Sequence, residues 1–152
     1  MRRFILLESG PLGLACSRPG LPPVDRCHAW LTTLEAAGAV IVIPAITDYE
    51  VRRELIRLLA TAKLRNLDGF CIRFPYLEIN RSALDRAAEF WAMVRRSGQP
   101  TAGPSDLDAD AILAGQAATL GQPGDLVTVA TTNARHLARF PGIDARDWTT
   151  IV

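Results

Sequence analysis

The sequence lacks most of the features that announce a function at once. It has 3 cysteines, Cys16, Cys27 and Cys71, an odd number with no CxxC spacing. That argues against a disulfide framework and nearly excludes a zinc site. Cys27 and His28 are adjacent rather than ligand-spaced, and read as a buried thiol beside a surface imidazole. His28 and His136 show no HxxxH or HExxH spacing. No GxGxxG or GxxxxGK[ST] loop is present to cradle a nucleotide phosphate, and no GxSxG elbow to present a serine nucleophile. Long apolar runs are missing too. Met-Arg-Arg is followed by four apolar residues, Phe4 to Leu7, too few for a signal sequence or a membrane span. A cytoplasmic protein is expected. Net charge is +1, from 17 basic and 16 acidic residues, which excludes a polybasic arm, an acidic tail and nucleic-acid binding by charge alone. Lysine is nearly absent, Lys63 being the single one. GC-rich codon usage would cause that bias; so would bidentate phosphate recognition, which arginine does better.

What remains is ordinary in amount and informative in order. With 152 residues, 49% hydrophobic and 22% charged, the chain reads as one domain over 1–152. A domain of this size buries about 68–70% of its unfolded surface and needs no disulfide or metal to fold. Residues 3–7 and 39–43 are continuous apolar runs, the pattern of strands buried on both faces of a parallel sheet. Residues 126–131 read as another core strand, 76–79 as a short one, and 148–152 as a last edge strand. Prolines and glycines from Pro11 to Pro23 mark a loop. Helices are expected over 24–37, from Thr47, over 63–71, from Asn80 or Ser82 to Arg96 with Leu84, Ala87, Ala88, Trp91 and Val94 inward, and over 107–120. Residues 98–105 read as a loop. Strand and helix alternate, so an α/β domain with a parallel sheet and helices on both faces is expected.

Ligands in such sheets bind beyond the carboxyl ends of the strands, and acids collect there. Glu8 follows the first strand. Glu50 lies on the helix after the second. Asp106, Asp108 and Asp110 straddle the start of an Ala-rich helix, and Asn133 follows the fourth strand. Carboxylates brought together repel unless a cation neutralises them, and Mg²⁺ or Mn²⁺ prefers oxygen ligands. Each acid also has a plainer role. Thr47-x-x-Glu50 is a capping box, Ser105-x-x-Asp108 a near variant, and Asn133 a turn residue. Glu8, at the end of a buried strand, and Asp110, beside a small-residue stretch, are the hardest to dismiss this way.

The motifs, taken in order, resemble the PIN domain family. Leu6-Leu-Glu-Ser-Gly-Pro-Leu-Gly13 resembles the family's opening strand, acid and small loop. Tyr49-Glu-Val-Arg-Arg-Glu-Leu55, Asp110-Ala-Ile-Leu-Ala114 and Thr131-Thr-Asn-Ala-Arg-His-Leu137 are similar to its next three motifs. The group most resembled is that of the VapC-type toxins of bacterial toxin–antitoxin pairs and their stand-alone relatives. The resemblance implies a three-layer α/β/α fold with a parallel sheet of order 3-2-1-4-5, and Mg²⁺- or Mn²⁺-dependent RNA cleavage. It implies Glu8, Glu50 and Asp110 as the acidic core and Asn133 at the fourth position. Ser9 would brace the first carboxylate and Asp108 would ligate the metal through water. Arg52, Arg53 and Arg135 would hold flanking phosphates, or else form surface ion pairs. A small antitoxin and a homodimer are implied partners. Phe74, Tyr76, Phe90 and Trp91 are candidates for an exposed face or for the core. The family's first acid is normally Asp. Glu8 displaces its carboxylate by about 1.5 Å, one C–C bond, so a PIN-like RNA- or protein-binding module with weakened catalysis is the second expectation. An α/β protein whose acids are only caps is the third.

Overall fold

Period-two alternation inside the apolar runs decides which face of the sheet each side chain covers. The computed structural model of the chain describes residues 1–98 and 104–152, without the side chains of 104–106. In β1 (Arg3–Leu7), Phe4 and Leu6 join one core and Ile5 and Leu7 the other. In β2 (Val40–Pro44), Val42 goes to the first side, Ile41 and Ile43 to the second. Such strands need helices on both faces, which is why they contain almost no polar residue.

The elements follow in chain order: β1, α1 (Ser9–Cys16), α2 (Pro22–Ala36), β2, α3 (Ala45–Arg57), α4 (Thr61–Arg73), β3 (Tyr76–Leu77), α5 (Arg81–Arg96), α6 (Pro104–Thr119), β4 (Leu126–Thr131), α7 (Ala134–Ala138) and β5 (Asp144–Asp147). All five strands are parallel, in the order β3-β2-β1-β4-β5. The layers are α1 to α4 against one face and α5 to α7 against the other. This is the three-layer arrangement and strand order expected. Phe4 pairs with Val40 on one side and Val127 on the other, which fixes β1 at the centre. Helices α5 and α6 pack at backbone contact. A Cβ on Gly115 would stand 2.3 Å from the Ala83 carbonyl oxygen, so only glycine fits there.

Several local expectations fail for identifiable reasons. The Pro- and Gly-rich stretch after Glu8 is helix α1, not loop. Pro11 is its third residue, where a backbone N–H has no helical partner to lose. Leu12, Ala15 and Cys16 are buried against the sheet, and that packing outweighs weak propensity. Helix α3 begins at Ala45 with Pro44 at its cap, so Thr47 and Glu50 form no capping box; the Thr47 hydroxyl is buried without a partner. Asn80 does cap α5, accepting from the Ala83 N–H at 2.9 Å. Its buried face carries Ala83, Ala87, Phe90 and Val94, while Leu84, Ala88 and Trp91 lie outward. Phe74 and Phe90 are core, whereas Tyr76 and Trp91 are partly exposed. The edge strand is Asp144–Asp147, and 148–150 form a 3₁₀ turn in which Trp148 packs inward on Trp30. Residues 99–103 of the expected loop lie outside the described residues, and α6 starts at Pro104.

Candidate active site

The chain leaves β1 for β2 and β3, then returns beside β1 as β4. The order reverses between β1 and β4, and the crevice beyond their carboxyl ends is where a doubly wound sheet accepts a ligand. Glu8 follows β1 and Thr131 ends β4, and the Glu8 N–H donates to the Ala130 carbonyl at 2.9 Å. Close approach here depends on Gly10. A Cβ at that position would lie 2.5 Å from the Thr132 side chain.

Glu8 is half-buried and held at both oxygens. The Ser9 hydroxyl donates to Oε1 at 3.0 Å. The Thr131 hydroxyl donates to Oε2. The Asn133 N–H donates in turn to that hydroxyl at 2.9 Å, tying the start of α7 to the carboxylate. Ser9 thus holds one Glu8 oxygen. Thr131 does the same and was not singled out, although it stands inside the fourth motif.

Asp110 faces this group from α6. The Arg139 guanidinium donates to its Oδ2 at 2.9 Å, and His136 Nδ1 lies 3.7 Å from the same oxygen. Burial pushes the Asp110 carboxyl above its ordinary value; Arg139 and His136 draw it back, and the charge of Glu8 adds to the rise. Glu8 and Asp110 therefore feel one another across the crevice. Neither Arg139 nor His136 was expected at the site. Their positions depend on the turn of α7, which no spacing rule encodes.

Glu50 opens on a cavity of ≈ 400 Å³ that Ser9, Gly13, Arg53, Glu54 and Lys63 also line. Ser9 joins this cavity to Glu8. The Arg53 guanidinium lies 5.1 Å from the ring centre of the exposed Tyr49. Lys63, the single lysine, enters the site unannounced.

Several of the expected residues do not converge here. Asp108 lies two residues from Asp110 on one helix, about 200° around its axis. It is exposed and lines the groove between α5 and α6 with Leu84 and Trp91, not the crevice. The Asp106 side chain lies outside the described residues. Arg52 is held by Asp48 at 3.0 Å and Asp68 at 2.7 Å, so the ion-pair alternative describes it and the phosphate role does not. Asn133 and Arg135 are exposed at the start of α7. Burial pushes Cys16 up to about 12 and Cys27 and Cys71 up to about 11, which removes the thiols as nucleophiles at neutral pH.

The carboxylates of Glu8 and Asp110 and the hydroxyls of Ser9 and Thr131 give the crevice mostly oxygen donors, with Glu50 on the cavity that Ser9 joins to it. That chemistry fits a hard divalent cation. Among the described residues no three His, Cys, Asp or Glu side chains are gathered as a ready-made cluster. Among them, too, no helix is long and apolar enough to cross a membrane.

No family model matches the chain, and no curated protein sequence matches it. Solved structures do. VapBC2 from Rickettsia felis, bound to a DNA fragment from its promoter, matches with a TM-score of 0.72 at 17% identity, over 95% of this chain and 98% of that one. DNA-bound VapBC from Salmonella typhimurium matches with a TM-score of 0.62 at 27% identity, over 97% and 99%. VapBC-1 from nontypeable Haemophilus influenzae matches with a TM-score of 0.64 at 14% identity, over 97% and 99%. The likeness is one of fold, and it spans nearly the whole chain.

Proposed function

The chain has the fold of the VapC-type PIN domains, and we propose that it is a single-domain Mg²⁺- or Mn²⁺-dependent endoribonuclease, the toxin of a toxin–antitoxin pair. One observation carries this reading. Glu8 stands at the switch point with both oxygens oriented by hydroxyls, electrostatically coupled to Asp110 and joined through Ser9 to the cavity of Glu50. Capping explains none of the three acids. Glu8 makes no side-chain cap bond at α1, Glu50 lies past the first turn of α3, and Asp110 past that of α6.

Glu8, Glu50 and Asp110 would hold the cation, with Asn133 beside them. When bound, such a cation supplies Lewis acidity toward a phosphodiester and makes a water molecule easier to deprotonate. The chain's own residues do the rest. Ser9 and Thr131 keep Glu8 in one orientation, so no reorganisation is needed when charge develops. Arg53 and Lys63 flank Glu50 and bind the phosphates on either side of the scissile bond. Arg135, exposed beside Asn133, extends that cationic rim. Net charge near zero then has a mechanical meaning. RNA affinity depends on the cation, because the acids would otherwise repel the phosphate.

The same acidic crevice suits a small antitoxin that presents a helix and places an Arg or Lys against the carboxylates. A second reading, a PIN-like RNA- or protein-binding module with weakened catalysis, is favoured by the absence of a ready-made three-acid cluster among the described residues. Cleavage of single-stranded RNA in Mn²⁺ by the wild type and by Asp110→Asn separates the two. The nuclease reading requires cleavage by the first and none by the second. Equal cleavage by both would overturn it, and RNA binding without cleavage by either would favour the module.

A further inference from the structure

Arg139 sits in an unusual place for a guanidinium. Its side chain is 12% exposed, less than the 19% of the aspartate it pairs with. Its Nε is buried without an acceptor. Its Cζ lies 5.4 Å from the ring centre of Phe140, whose ring packs in turn on Phe90. A cation that cannot be deprotonated is expensive to bury with a donor unused. Among the described residues one ion pair, to Asp110, compensates it, and its hydrogen bond is to Oδ2; the His136 contact is to the same oxygen. Oδ1 takes part in neither.

We infer that Arg139 is a positioning residue for the cation site: gripping Asp110 through Oδ2, it presents Oδ1 as the ligating oxygen. The inference rests on the proposed reading of the crevice as a cation site. It adds the group that orients one ligand. A plain competitor for Asp110 would have to let go when the cation arrives, leaving a buried guanidinium with no partner. A one-oxygen grip can persist. Carboxylate ligands are commonly fixed this way by a hydrogen-bonding neighbour, and losing the neighbour typically costs about 10–100-fold in metal affinity.

The test is calorimetric titration of the full chain with Mn²⁺, alongside thermal unfolding in EDTA. Arg139→Gln is expected to bind Mn²⁺ about 10–100-fold more weakly than the wild type. Arg139→Lys keeps the charge but loses the planar fork, and is expected to fall between the two. Lower thermal stability in EDTA with unchanged Mn²⁺ affinity would make Arg139 merely structural and overturn the inference. Tighter Mn²⁺ binding by Arg139→Gln would make it a competitor and overturn it too. If Arg139→Gln does not fold, Arg139→Lys carries the test: binding equal to the wild type overturns the inference, weaker binding supports it. A wild type that binds no Mn²⁺ overturns the cation site as well. A wild type that binds it no better than Arg139→Gln overturns the role of Arg139 alone.

Discussion

Two helical acids, Asp48 on α3 and Asp110 on α6, are both largely buried and both paired with arginine, yet they are used differently. Both oxygens of Asp48 are engaged. Arg52 donates to Oδ1 through Nε at 3.1 Å and Nη2 at 3.0 Å, and the Tyr76 hydroxyl donates to Oδ2 at 2.8 Å. Arg52 reaches on to Asp68, so the group ties α3 to α4 and β3. At Asp110 both contacts fall on Oδ2, and the arginine is the deeper partner. Asp48, gripped at both oxygens in a network that spans three elements, holds the fold together. Asp110, at the reversal of strand order, is bonded among the described residues through Oδ2 and is placed to offer Oδ1 to a ligand.

Asp110→Asn draws the contrast most sharply. Mn²⁺ affinity and RNA cleavage are expected to fall by more than about 100-fold, beyond what loss of an outer-shell contact brings. The fold should stand. Because burial holds the Asp110 carboxyl above its ordinary value, its stability contribution is greatest at low pH and is lost as pH rises through that value. At neutral pH the charge is thus carried at a cost. The amide also leaves the Arg139 guanidinium without its counter-charge, so differential scanning calorimetry in EDTA should find the variant folded but melting below the wild type.

Asp48→Ala should do the reverse. Loss of a charge-assisted network is worth about 1–3 kcal/mol, a fall in Tm of roughly 3–10 °C for a chain of this length. Mn²⁺ affinity, measured by titration, should stay near that of the wild type. A large loss of metal binding without a loss of stability would erase the distinction between the two acids.

Gly10→Ala probes the crevice from its backbone. The added methyl meets the Thr132 side chain, and overpacking of this kind costs about 1–3 kcal/mol. Mn²⁺ affinity should fall with it, because Thr132 adjoins the hydroxyl that orients Glu8. Chemical denaturation and metal titration check the two effects together.

How far the sequence revealed this arrangement follows from which forces are local. The apolar runs at β1, β2 and β4 were legible because burial on both faces leaves a continuous signature. Glu8 and Asn133 could be placed because each closely follows a core strand; Glu50 and Asp110, inside their helices, were marked by chain order alone. Helix α1 was not legible, because packing of Leu12 and Cys16 overrode Pro11 and Gly13. Asp108 was misplaced because helical phase separates it from Asp110. Arg139 and Thr131 act across 29 and 123 residues of chain, on Asp110 and Glu8 respectively, and nothing local marks such pairings.

The smallest expected effect lies far from both acids. Backbone N–H groups of Gln122 and Arg2, with the Arg2 guanidinium, hold the Asp125 carboxyl down at about 2. A depressed carboxyl contributes stability above its unfolded value of 3.8, lost as pH falls toward about 2. Asp125→Asn should therefore be slightly less stable than the wild type at neutral pH and converge with it near pH 2, as followed by acid titration of the circular dichroism signal.

Cleavage of a single-stranded RNA by the wild-type chain, in Mn²⁺ and again in excess EDTA, bears most directly on the central claim. Cleavage that requires Mn²⁺ and stops in EDTA is the result the acidic crevice predicts. Cleavage that continues undiminished in EDTA, or RNA left intact in Mn²⁺, would contradict it.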